Sequence, residues 1–577
     1  MEWALFGVIG VITIVAAGAF SKKLGVAAPL ILIILGFAFS YMPGAPVEIP
    51  HELILMGLLP PILYSAAINV PVVDFRRNFS SISALSVVLV LVTALVTGFI
   101  LYSIFPDLSL AGGIAIGAVI SPTDVVAATA LGKRLGLPPR LLTILEGEGL
   151  VNDATALVLL RSAVAAIAAT VSFWDVLVDF AYAASLAVLI GLVVGFITVK
   201  VRSRLHDPML DTAISFAVPF IAFIPAEYFG ASGVLAVVAA GLYSGHSSAR
   251  RFSPQARISE RLNWRTAQFV LENGVFLLMG LQLSTIIAAV EEDDLSARQA
   301  VEYGLLITVV VMVLRFAFVW PLLALLRRRQ THAAQRNSRF AAALEHVRSL
   351  PKRGTRVERR RKRAETVLQR REVDLARLES EGLGWRGGII LGWAGMRGVV
   401  TLAAAQSLPE MPYRPQLILI AFTVAIVTLM LQGLTLPWVI RATGIRGTDR
   451  EADRRELAEL LDEIGEAGLA VLESPSFQLP DGEAIDSSVI ERVRADTLLS
   501  AESAWERAEH GAGVDGLTHS PQRQYRELRR EVLQAEREAL LEARTTGSFS
   551  SRILSRAQAM LDLEETRLEQ IDNPSGS

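Results

Sequence analysis

Residues 81–105 read SISALSVVLVLVTALVTGFILYSIF, twenty-five consecutive positions without a charge. A run of about 20 apolar residues is what a helix needs to cross a hydrocarbon core. In lipid every backbone polar group must be satisfied internally, which leaves helices and closed barrels. Barrel strands are only about 9–11 residues long, so runs of this length predict a polytopic all-α membrane protein. Thirteen candidate spans can be drawn, at roughly 2–20, 28–42, 51–70, 81–105, 109–131, 140–169, 176–199, 209–226, 231–246, 264–290, 303–326, 386–408 and 416–440. Glu2 precedes the first run and Lys22 and Lys23 follow it, the reverse of a signal peptide's polarity, so the first run is expected to be an uncleaved span. The chain has no cysteine, which excludes disulfides and thiol catalysis, and its net charge of −2 points to no class of partner.

The basic residues alternate between loops. Lys22 and Lys23, Arg76 and Arg77, Lys133, Arg134 and Arg140, Lys200, Arg202 and Arg204, and Arg250 to Arg265 follow the odd-numbered spans up to the ninth. The other loops carry almost none, Arg298 and Arg414 being the exceptions. By the positive-inside rule the N-terminus is expected outside the plasma membrane and the C-terminus in the cytoplasm. The membrane domain is expected over 1–445, with a basic cytoplasmic linker at 327–385. A helical cytoplasmic region follows over 446–577, where Leu528, Val532, Ala535 and Ala539 recur at helical spacing. The linker's basic run could also attract anionic lipid headgroups.

Ionisable residues inside spans are expensive and by default suggest function. In span 5, AGGIAIGAVISPTDVVAATAL, Pro122 lacks an N–H and clashes with the preceding turn. The helix should unwind near Ser121–Asp124, freeing carbonyls beside the Thr123 hydroxyl and the Asp124 carboxylate. In span 6, LEGEGLVNDATALVLL, Glu148 and Asn152 share a face, Asp153 lies deeper, and Glu146 is nearer the cytoplasmic end. Span 12, GGIILGWAGMRGVVTLAAAQSL, sets Arg397 among Gly392, Gly395 and Gly398. A guanidinium there needs a carboxylate, and Glu148 is the candidate. Spans 5 and 12 run in opposed directions and both are Gly-interrupted, the sequence pointer to an inverted-repeat transporter. Weaker candidates are Glu272 and Asn273 in span 10, Asn69 in span 3 and Arg315 in span 11; Asp211 is expected in the interface as a helix N-terminal acid.

The segments ISPTDVVAATA, LEGEGLVNDATALVL and LGWAGMRGVVTLA together resemble the monovalent cation/proton antiporters, in the electroneutral branch with an Asn-Asp pair. LPPILYSAAINVPVVDFRRN and LENGVFLLMGLQL are similar to that branch too. The resemblance implies thirteen spans, two broken helices crossing at mid-membrane, and a homodimer. It implies that Asp153 binds cation or proton in competition, that Asn152 marks the electroneutral branch, that Thr123 and Asp124 lie in the unwound segment, and that Glu148 pairs with Arg397. It departs at Val125, often Pro; at Gly149, often Ser; and at Ser65, sometimes an acid. The missing hydroxyl at 149 leaves Na⁺, Li⁺ and K⁺ all open as the transported ion, with Na⁺ first. No resident cofactor is implied. A passive cation channel and a membrane-embedded enzyme are the rival readings; the chain lacks the Tyr-Asp and Gly-x-Gly-Asp of an intramembrane aspartyl protease.

Overall fold

A computed structural model of the protein describes residues 2–24, 27–42, 50, 52–124, 126–168, 173–205, 207–291, 296–349 and 383–445, together with short stretches of residues 448–577. The chain divides into two units, Met1–Gly447 and Thr448–Ser577.

The regular structure of the first unit's described residues is all helical. In chain order it contains α1 (Glu2–Leu24), α2 (Ala28–Phe39), α3 (Leu59–Asn69), α4 (Val72–Arg77), α5 (Phe79–Ser83), α6 (Val90–Ile104), α7 (Leu110–Ile120), α8 (Val126–Leu135) and α9 (Pro139–Ala168). There follow α10 (Phe173–Arg202), α11 (Pro208–Tyr228), α12 (Gly233–Arg251), α13 (Pro254–Glu291), α14 (Ala297–Ser349), α15 (Trp385–Trp393), α16 (Val399–Gln406) and α17 (Arg414–Thr443). Among the described residues, seven helical segments are long and apolar enough to cross a membrane, and four shorter apolar helices accompany them. Two of the expected spans are each split in two: span 5 into α7 and α8, span 12 into α15 and α16. α14 continues to Ser349, well into the expected linker. The linker's RVERRRKRAE run lies outside the described residues.

Two wide, π-type turns interrupt the early helices, at Leu53–Leu58 and Ala84–Leu89. The first runs into Pro60 and Pro61, which cannot donate to the turn before them. The second lies against α9, where Ser86 Oγ reaches the Glu148 carbonyl at 3.2 Å.

Lipid tails are as apolar as leucine, so helices in a bilayer associate by close packing rather than by hydrophobic exclusion. Glycine provides it here. A Cβ on Gly36 would lie 3.0 Å from Gly280 Cα, which locks α2 onto α13; one on Gly98 would lie 2.8 Å from the Gly113 carbonyl carbon, which locks α6 onto α7. α17 is the most enclosed long helix, 72% of its span buried against 22% for α10. The unit's main core includes Phe422, Ile420 and Leu417 of this helix together with Met396 and Ala404 of span 12.

In the second unit, residues 528–536 are helical. Leu533 is its buried position, whereas Leu528 and Val532 of the expected stripe are exposed. Arg529 joins this helix to Glu564 at 2.6 Å, so an ion pair stands where apolar contact was expected.

Candidate functional site

The break in span 5 follows from Pro122. Without a proline N–H, the Ala118 carbonyl is released, and Ser121 Oγ takes it at 2.9 Å. Two residues beyond Pro122, the Asp124 amide also leaves the helical pattern. It donates instead to Met396 O, 2.7 Å away in the gap between α15 and α16. The Ile120 carbonyl that Asp124 would have served accepts Arg397 Nε at 3.2 Å. The two breaks are thus stitched to each other, each using backbone groups the other leaves open.

The same economy decides the ion pair, and it corrects the sequence expectation. Glu148 pairs with Arg315, not with Arg397. Arg315 Nη1 donates to Glu148 Oε1 at 2.5 Å, Nη2 to Oε2 at 2.9 Å, and Nε to the Leu391 carbonyl at 2.9 Å. Both residues are about 1% exposed. Arg315 sits within a continuous helix whose carbonyls are already used, so it needs a carboxylate. Arg397 sits inside a break, where the Ile120 and Gly395 carbonyls accept its guanidinium and the Thr428 hydroxyl accepts its backbone N–H. The glycines of span 12 make this possible, since a Cβ on Gly395 would stand 2.6 Å from Arg315 Nε. Arg315 was visible in the sequence as a lone cation in an apolar run; the spacing of glycines around Arg397 drew the pairing elsewhere.

Around Glu148 the expected residues converge. Thr123 Oγ1 donates to Glu148 Oε1 at 2.7 Å. Asn152 Nδ2 donates to the Thr123 carbonyl at 2.8 Å and to its hydroxyl at 2.9 Å. That amide is therefore the strap between α9 and the first break. Its other end, Asn152 Oδ1, is buried and accepts no hydrogen bond among the described residues. Asp153 is 9% exposed, and Asp124 is the charged neighbour whose field it feels. The Asp124 carboxylate packs directly over Gly398, the residue that begins α16, where a helix N-terminus favours negative charge. Val125 lies outside the described residues. Asp124, Glu148 and Asp153 are the carboxylates of this region, and Arg315 and Arg397 its guanidinium groups.

The weaker candidates separate. Asn273 Nδ2 and Asn69 Nδ2 each donate at 2.7 Å to a carbonyl four residues back on their own helix, Phe269 and Ser65. Glu272 is half-buried and accepts from Gln268 Nε2 at 2.7 Å. Glu146 pairs with Lys133 at 2.8 Å. Asp211 is a second correction. It is 1% exposed rather than interfacial, and it holds Arg202 through Nε and Nη2, both at 2.8 Å. Arg202 also reaches Glu260 Oε1 at 2.8 Å and lies 4.3 Å over the Phe252 ring. Arg202 therefore belongs to the bundle's interior and not to a loop, as does Arg140, whose Nε bonds Asn78 Oδ1 at 3.0 Å.

Comparison with known proteins gives a consistent picture. A family model described as "Sodium/hydrogen exchanger, transmembrane" matches residues 10–442. An uncharacterised Na(+)/H(+) exchanger of Mycobacterium tuberculosis is 28% identical over 98% of this chain and 96% of its own. A sodium, potassium, lithium and rubidium/H(+) antiporter of Bacillus pumilus is 28% identical over 71% of this chain and 57% of its own. The Na(+)/H(+) antiporter ApNhaP of Aphanothece halophytica is 26% identical over 78% and 76%. Among solved structures, the sodium proton antiporter MjNhaP1 of Methanocaldococcus jannaschii shares the fold, with a TM-score of 0.55 at 15% identity, over 76% of this chain and 99% of that one.

Proposed function

Because the chain belongs to the sodium/hydrogen exchanger family, a family of transporters and not of enzymes, we propose that it exchanges one monovalent cation for one proton by competition at Asp153. The observation that carries this reading is the buried Asp153 carboxylate beside the stitched breaks, next to Asn152, whose Oδ1 accepts no hydrogen bond among the described residues. One proton neutralises the Asp153 carboxylate; so does one cation held against it. Hard cations take oxygen ligands, and Asn152 Oδ1 is a buried oxygen with no other commitment among the described residues. The Thr123 hydroxyl, proposed as a ligand from the sequence, is engaged by Glu148 and Asn152. Its part in this reading is to hold the strap in place, with its carbonyl beside the site. Asp124 supplies negative field at Asp153, and the Glu148–Arg315 pair keeps the break rigid.

Exchange of one charge for one charge moves no net charge, which is the electroneutral behaviour that an Asn at position 152 suggests; a second acid there would add another. Na⁺ is the first candidate, since relatives are named for Na(+)/H(+) exchange, and the Bacillus relative's name adds K⁺, Li⁺ and Rb⁺. Thirteen spans with inverted halves, a homodimer, and a plasma-membrane orientation with the N-terminus outside complete the proposal. Support for the orientation comes from the basic loops, and support for alternating access comes from two broken helices meeting between bundles.

The test is cation-driven pH change in proteoliposomes across pH with Na⁺, Li⁺ and K⁺. Wild type should exchange at least one of them, and Asp153→Asn should lose the exchange while eluting as a folded protein. Retained exchange in that variant would overturn the assignment. Steady current under an applied voltage would favour the channel reading.

A further inference from the structure

Span 3 offers a buried serine at position 65, 0% exposed. Its surroundings form a short polar chain. Ser65 Oγ donates to Gln268 Oε1 at 3.0 Å, and Gln268 Nε2 donates to Glu272 Oε1 at 2.7 Å. Ser65 Oγ also lies 3.3 Å from the Trp264 carbonyl, which offers its hydroxyl a second acceptor.

This chain has two complete bonding patterns. A primary amide is an acceptor at one end and a donor at the other, with nearly the same shape after a half-turn. In the arrangement present, the amide N–H donates to Glu272 Oε1, a pattern that suits the ionised carboxylate. If Glu272 carries a proton, its O–H becomes a donor and needs an acceptor. A half-turn of Gln268 brings Oε1 to that O–H and Nε2 to Ser65 Oγ, and the serine hydroxyl swings to Trp264 O. Every group keeps a partner in both states. The provision is specific, because each member of the chain, Ser65 buried and Gln268 and Glu272 half-buried, has a partner in either state. The only charged group outside α13 whose field reaches Glu272 in the described residues is Asp124, at the first break. The facing helix α3 contributes the uncharged Ser65, and α13 itself contributes Gln268.

We propose that Ser65 and Gln268 form a reorienting pair that holds Glu272 in either protonation state, making Glu272 a second proton-exchanging group that serves the Asp153 site. The proposal rests on the exchange reading above and deepens it. Glu272 takes up and releases its proton on the same side of the membrane, so it alters the pH dependence and apparent cation affinity while the stoichiometry stays at one for one. Ser65 and Gln268 are positioning residues, acting through Glu272.

Two measurements on the full-length protein test this. The first is infrared difference spectroscopy of the purified protein between acid and alkaline buffer, which needs no transport. Wild type should show a carboxylic acid C=O band that disappears in Glu272→Gln. In Gln268→Met, which keeps the volume and removes the amide, the midpoint of that band should move upward by about one pH unit, a tenfold change in proton affinity, since the amide's bond to the charged carboxylate is stronger than its bond to the neutral acid and the ionised form loses more. The second is the pH profile of exchange in proteoliposomes. Gln268→Met should move it in the same direction and change KM for Na⁺ more than the maximal rate. Ser65→Ala should do so more weakly, and Gln268→Met should add nothing once Glu272→Gln is present. Absence of a Glu272-dependent band, or unchanged profiles in folded Glu272→Gln protein, would overturn the proposal while leaving Asp153 as the exchange site. Exchange of no cation by wild type would remove the reading beneath it, and the band would then report the switch alone.

Discussion

Arg315 and Arg397 are the same side chain at similar depth, yet they stand in different chemical positions. Arg315 faces a carboxylate through two nitrogens, while Arg397 is held mainly by carbonyl oxygens. Removing one member of a buried ion pair costs about 3–5 kcal/mol, because the other charge is left unpaired. Arg315→Ala should therefore lower the melting midpoint in detergent sharply, and adding Glu148→Leu should recover part of the loss. Arg397→Ala should be milder in melting, with no recovery from a change at 148. A thermal-shift series over these four variants decides it; rescue of Arg397→Ala instead would return the pairing to the partner expected from sequence. What sequence offers at this scale is the list of costly residues. Asp153, Glu148, Asn152, Thr123 and Asp124 all stood out as polar groups in apolar runs, and all converge. Partnership was not legible, because it depends on which backbone carbonyls a break releases and in which direction they point. Asp211 was misplaced for the same reason: its position at a helix start is visible in one dimension, its contact with Arg202 only in three.

Among elements, the two broken helices were the most legible, since a proline with a following Thr-Asp, and a glycine triplet around an arginine, both announce interrupted hydrogen bonding. The helix contacts were less so. Gly36 and Gly280 are separated by most of the membrane domain, and nothing local shows that they meet. The contact is nonetheless tight: Gly36→Leu must displace the α13 backbone, an overpacking that costs about 1–3 kcal/mol or more. Gly7, with no atom within 4 Å of its Cβ position, is the matched control. Gly36→Leu should lower the melting midpoint and Gly7→Leu should leave it unchanged; equal effects would mean that α2 does not lean on α13 as described.

At the scale of the molecule, the lack of cysteine makes the chain's orientation directly testable, since any introduced thiol is the only one. A cysteine placed at Ser577 in intact cells should resist a membrane-impermeant maleimide, whereas one at Ser296, between α13 and α14, should react. The reverse pattern would invert the proposed orientation. Charge transport belongs to this scale too. If one proton is exchanged for one monovalent cation, as proposed, exchange should proceed at the same rate whether or not a potassium–valinomycin potential is imposed, and acceleration by the potential would mean that net charge moves. The crossed bonds between the two breaks also set a timetable for biogenesis. Ile120 and Arg397 are 277 residues apart, which at 5–20 residues per second is roughly 15–55 s of synthesis. Throughout that interval the nascent chain must keep an open helix end within the insertion machinery or the bilayer. A ribosome that stalls between them produces a protein with its first break unsealed, and such a fragment is a natural target for membrane quality control.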